Sequence, residues 1–140
     1  MTHSGMRARA RGFTLVELMV VVLIVAVLSA IAIPSYTRHV AKTNRSAAKA
    51  CLSEAAQFME RYYTTNLTYD GAALSLGCQT DSNLDERYTL TLSDLDQKTY
   101  TVTATPVGIQ ASRDVRCGTL SVDQDGKRNA TGTGGLKECW

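Results

Sequence analysis

Between Phe13 and Ile33 the chain carries one charged side chain, Glu17. A run of about twenty apolar residues is long enough to cross a bilayer as a helix. A carboxylate inside such a run costs at least a few kcal/mol, so it marks a functional position whose partner has to be found. Helical periodicity continues beyond Pro34: Val40, Ala47, Cys51, Ala55, Phe58 and Tyr62 recur at helical spacing and gather on one face. Opposite them Arg38, Lys42, Arg45 and Lys49 form a basic stripe about three turns long. The polar run Thr64-Thr65-Asn66 predicts a helix end near Tyr63. Pro34 removes an amide donor and crowds the preceding turn, which predicts a bend within one helix from about Phe13 to Tyr63.

From Asn66 to Glu86 the composition is that of a loop, with Gly71, Gly77, Asn83 and several Asp and Ser residues. The period then changes to two. Tyr88, Leu90 and Leu92 alternate with Thr89, Thr91 and Ser93, and Tyr100, Val102 and Ala104 alternate with Thr101, Thr103 and Thr105. Asp94-Leu95-Asp96-Gln97 provides the turn of a hairpin, and Thr119 to Asp123 reads as a third strand. The predicted fold class is α+β: a long N-terminal helix, membrane-spanning and then amphipathic, packed through Phe58 and Tyr62 on an antiparallel sheet of three or four strands. Ser121-x-Asp123-x-Asp125-Gly126 partly mimics a calcium loop, but Gly132 stands where the twelfth ligand belongs, and Asp125-Gly126 is a strong turn dipeptide.

Of the 140 residues, those after the apolar run suffice for one domain. The formal charge of +2 owes its sign to Arg7, Arg9 and Arg11; without residues 1–12, 12 basic side chains face 13 acidic ones. The globular part therefore has no bulk charge that argues for nucleic acid. The basic stripe has three readings: a solvated or subunit-facing helix face, a contact for anionic headgroups, or a DNA contact. Three arginines ahead of the apolar run predict a cytoplasmic N-terminus and an exported globular part. Cys51, Cys78, Cys117 and Cys139 are even in number and suit two disulfides in an oxidising compartment, with three pairings open. No zinc-like spacing, cofactor motif or Gly-rich phosphate loop is present, so no metal or cofactor is expected. His3 and His39 have no visible nucleophile partner, and no catalytic residue is expected. A cleaved secretory signal ending at Ala30-Ile31-Ala32 fits poorly, because the apolar stretch is too long and contains Glu17.

Arg11-Gly12-Phe13-Thr14-Leu15-Val16-Glu17-Leu18 resembles the class III signal of type IV prepilins. The resemblance extends from Arg7 to about Tyr36, with Pro34 where these proteins carry a helix-bending proline; Ala26 stands where many carry glycine. It implies a leader of residues 1–12, or of seven residues from Met6, removed by a prepilin peptidase between Gly12 and Phe13, with N-methylation of Phe13. Residues 13–34 would then be the transmembrane and assembly helix, and residues 35–140 the periplasmic and later extracellular globular domain. Glu17 would meet the Phe13 amine of an adjacent subunit and so select the axial offset in a filament. The implied partners are other pilins, the peptidase, an inner-membrane assembly platform and the lipid bilayer. Resemblance to the disulfide-bounded tail of many pilins, and less specifically to PilE-type minor pilins, implies the pairs Cys51–Cys78 and Cys117–Cys139. The resulting expectation is a structural subunit, a minor pilin, of a filament serving motility, adhesion or DNA uptake. A type II secretion pseudopilin and a DNA-binding competence pilin using residues 38–49 are the alternatives.

Overall fold

The computed structural model describes residues 12–140. Helix α1 runs from Leu15 to Asn66 with Pro34 inside it. Its start is set by Thr14, whose Oγ1 accepts a hydrogen bond from the Glu17 amide at 3.2 Å, as an N-cap hydroxyl does. It ends three residues later than the composition predicts because the polar side chains there bond back to helix carbonyls. Thr64 and Thr65 both donate to the Arg61 carbonyl, and Asn66 Nδ2 donates to that of Tyr62. Leu67 closes the helix in the left-handed region, φ 56°, with its amide on the Tyr63 carbonyl.

The described chain divides into two compact units at Tyr36. In the first, the apolar side chains between Phe13 and Ile33 are exposed, and α1 is long and apolar enough to cross a membrane.

The second unit, residues 37–140, contains a four-stranded antiparallel sheet in the order β1-β2-β3-β4. Its strands are β1 Tyr88–Ser93, β2 Thr101–Pro106, β3 Leu120–Asp123 and β4 Arg128–Ala130. The register sets Leu90 opposite Ala104, Val102 opposite Val122 and Leu120 opposite Ala130, so one sheet face is apolar and the threonines occupy the other. The β1–β2 turn is closed by its own bonds, Asp96 N to Thr99 O at 3.1 Å and Thr99 Oγ1 to Asp94 O at 2.9 Å. In the β3–β4 turn Asp123 Oδ1 accepts from the amides of Asp125 and Lys127, at 3.0 and 2.9 Å, and Gly126 takes φ 71°. These bonds make Asp123-Gln124-Asp125-Gly126 a hairpin turn.

The part of α1 that the sheet covers differs from the sequence expectation. The buried line comprises Ala41, Arg45, Ala48, Leu52, Ala55 and Met59, joined by Cys51, whereas Val40, Ala47, Phe58 and Tyr62 are only half-buried. The sheet closes over Leu52 and Met59, which are fully buried. The covered face is thus rotated toward the basic stripe, and Arg45 falls within it. Two short helices were not anticipated: α2, Gly108–Arg113, and α3, Gly135–Cys139. Near the end of α1, Tyr69 stacks on Tyr63 and meets Tyr100 edge-on, each with centroids 4.7 Å apart, and donates to Glu60 Oε1 at 2.9 Å.

Candidate functional site

Gly12, Phe13 and Thr14 precede the first turn of α1, and Phe13 is 77% exposed. Glu17 lies in that first turn, exposed among apolar side chains, and makes no salt bridge among the described residues. Arg7, Arg9 and Arg11, ahead of the apolar run, lie outside the described residues.

The four cations of the expected stripe have separate environments. Arg38 and Lys42 are exposed. Lys49 is half-buried and donates from Nζ to the Trp140 carbonyl at 3.2 Å; burial first, then the charges of Arg45, Arg128 and Lys42, hold its ammonium below the usual lysine range. Arg45 is not on a free face at all. It is buried in an ion pair with Asp114, whose carboxylate is 4% exposed. The stripe as a solvent-facing unit is therefore corrected: a charged residue can point inward where a distant carboxylate meets it.

Around that pair a polar network joins α1, β1 and α2. Tyr88 donates its hydroxyl to Asp114 Oδ2 at 2.8 Å, and its phenol is pushed up by burial and by this bond. Gln110 Nε2 donates to the Ala41 carbonyl and to the Tyr88 hydroxyl, both at 3.0 Å. Asn44 donates to Gln110 Oε1 at 3.0 Å and accepts from Arg87 at 2.6 Å. No buried side-chain donor or acceptor among the described residues lacks a partner, which is the condition for such a network to stabilise rather than strain.

Above the network opens a cleft of about 410 Å³ lined by Arg38, Ala41, Lys42, Arg45, Arg113, Asp114, Arg116 and Glu138. Arg113, Asp114 and Arg116 belong to the segment of α2 and its exit, which carried no periodic signal in the sequence. Arg116 is bridged to Glu138 at 2.7 Å.

The cysteines pair as Cys51–Cys78 and Cys117–Cys139, with Cα separations of 5.5 and 5.4 Å. The first bridge ties α1 to the turn at Gly77–Gln79; the second ties the exit of α2 to α3. Within the second loop Gly132 lies against the chain at Arg116, where an added Cβ would stand 2.2 Å from the Arg116 carbonyl oxygen. Gly134 donates its amide to that same carbonyl at 2.7 Å.

Comparison with known proteins accounts for both units. Residues 7–33 match the family described as "Prokaryotic N-terminal methylation motif", and residues 34–121 match that described as "Type IV minor pilin ComP, DNA uptake sequence receptor". The fimbrial protein of Neisseria meningitidis serogroup B is 28% identical over 117 residues, 84% of this chain and 67% of that protein. The type IV wide pilus major component PilA4 of Thermus thermophilus is 38% identical over 71 residues; that match takes in 49% of this chain and only 54% of the relative. The fold is also that of a type IV pilin from Shewanella oneidensis, with a TM-score of 0.53 at 24% identity over 71% of this chain and 97% of that one. An exposed apolar helix carrying one carboxylate, a disulfide-tied meander packed on its continuation and these matches have one explanation: the chain belongs to the type IV pilin family.

Proposed function

We propose that this pilin is a minor subunit, held in the inner membrane by residues 13–34 with its N-terminus cytoplasmic, and later drawn into an extracellular filament with other pilins. Removal of residues 1–12 by a prepilin peptidase leaves a methylated cationic amine at Phe13, and an inner-membrane platform inserts the subunit. The observation that carries this reading is Glu17: the sole charge between Phe13 and Ile33, on a helix whose apolar side chains are exposed. A buried unpaired carboxylate costs several kcal/mol, and the Phe13 amine of a neighbouring subunit offsets much of that only at one axial offset. The role is structural, and the chain is read as a polymer component rather than an enzyme. Glu17→Ala should leave cleavage and membrane insertion intact while the subunit disappears from sheared pili; a variant recovered there at the wild-type level overturns the pairing.

A second reading is favoured by one observation, that the family matched over residues 34–121 is described as a DNA uptake sequence receptor. On this reading the cations left free on the globular unit, Arg38 and Lys42 among them, touch DNA phosphates. Duplex binding by the purified protein that falls steeply with salt supports it, and absent or salt-insensitive binding removes it.

A further inference from the structure

The cleft above the Arg45–Asp114 pair holds more positive charge than the protein neutralises. At its floor Asp114 is already committed to Arg45 and to the Tyr88 hydroxyl, and at its rim Glu138 is committed to Arg116. Arg38, Lys42 and Arg113 are exposed and form no salt bridge among the described residues. They come from two elements, α1 and α2, so their convergence is a product of the fold and not of one helix period. Of these three, Lys42 also adds to burial and to the charges of Arg45 and Arg128 in disfavouring the Lys49 ammonium.

Three unneutralised donors around about 410 Å³ suit an anion with several acceptor oxygens. Phosphate has that chemistry. Position then separates its sources. Arg38 follows Ile33, the end of the apolar run, by only five residues of sequence. The interfacial layer outside the hydrocarbon core is roughly 5 to 8 Å thick on each side. If the apolar stretch spans the core, so short a separation keeps Arg38 within reach of the headgroups, with Lys42 four residues further along the chain. A duplex, by contrast, is a rod that needs a long basic track, whereas these three cations line a single cleft.

We propose that Arg38, Lys42 and Arg113 hold the phosphate of an anionic phospholipid headgroup while the subunit is stored in the bilayer. This rests on the membrane-held pilin of the preceding section. Arg113 is the discriminating residue: a stripe on α1 that merely attracted an anionic surface would have no use for a side chain brought in by α2.

The test reconstitutes the full chain into phosphatidylcholine vesicles containing a minor fraction of phosphatidylglycerol. Flotation reads insertion, and native mass spectrometry after detergent extraction reads the lipids retained. The wild type should retain phosphatidylglycerol enriched at least about fivefold over the vesicle ratio, the factor expected for one basic side chain at an anionic surface. Arg113→Gln should fall to the vesicle ratio with flotation unchanged, and Arg113→Lys should restore part of the enrichment. A wild type without enrichment, or an Arg113→Gln variant that keeps it, overturns the site. Duplex DNA that displaces the lipid in an Arg113-dependent manner overturns it in favour of nucleic acid. A chain that fails to float overturns the membrane reading itself, and the headgroup site with it.

Discussion

Arg45 and Asp114 form a buried ion pair across 69 residues of sequence, with side chains 11% and 4% exposed. The pair fixes α2 to the central helix, and its worth depends on both partners being present. Arg45→Met leaves Asp114 buried with only Tyr88 and Gln110 to satisfy it, which should cost about 3 kcal/mol in denaturant unfolding followed by near-ultraviolet circular dichroism. The double substitution Arg45→Met, Asp114→Leu should recover most of that loss, because no uncompensated charge then remains.

The two turns differ sharply in their tolerance of a side chain. Gly132→Ala would drive a methyl group to 2.2 Å from the Arg116 carbonyl oxygen, and a loss of about 2 kcal/mol or more is expected. Gly126 has φ +71° but open space around it. Gly126→Asn should therefore stay within about 1 kcal/mol of the parent protein, since asparagine enters the left-handed region most readily after glycine. Thermal melts of the two variants side by side check the contrast.

Replacing Cys117 and Cys139 together by serine opens a loop of sequence separation 22. The chain-entropy estimate for a loop of this size is about 3 kcal/mol. The expected result is a lower denaturation midpoint with the sheet core retained, because Val102, Ala104 and Leu120, though in one core with Cys117 and Cys139, are also held by strand pairing independent of the bridge. Complete loss of strand signal in the circular dichroism spectrum would contradict that independence.

High pH should weaken the fold through Tyr69. Burial first, then the hydrogen bond to Glu60 and its charge, push this phenol from its usual 10.0 to about 12. The unfolded chain releases the proton near pH 10 while the folded chain keeps it, so the unfolded state binds fewer protons in this window. Stability is full below pH 10 and falls as pH rises from about 10 through about 12. Tyrosinate absorbance measured alongside unfolding should locate the loss there, and Glu60→Gln should move the titration downward.

The strands were legible because Tyr88-Leu90-Leu92 and Tyr100-Val102-Ala104 alternate with hydroxyl side chains over enough residues to define a period of two. Helix α2 has six residues, fewer than two turns, and its buried side chain is the polar Gln110, so neither length nor hydropathy could announce it. Helix α3 has five residues and follows Gly134 in a glycine-rich tail. The covered face of α1 was misplaced for a different reason. Two neighbouring stripes fit the helical spacing, and only the sheet decides that Leu52 and Met59 face inward. Arg45 read as solvent-facing because its partner is 69 residues away and carries no motif. Glu17 stood out in the sequence since a charge in an apolar run needs no partner to be visible.

The β1–β2 turn from Asp94 to Thr99 is closed by its own hydrogen bonds and, apart from half-buried Leu95, keeps its side chains in solvent. Sequence drift there costs the core almost nothing. Such a turn is where the exposed surface of this unit can vary, or where a foreign peptide can be grafted for display. The strap at Gly132, closed to even one methyl group, is where neither can happen.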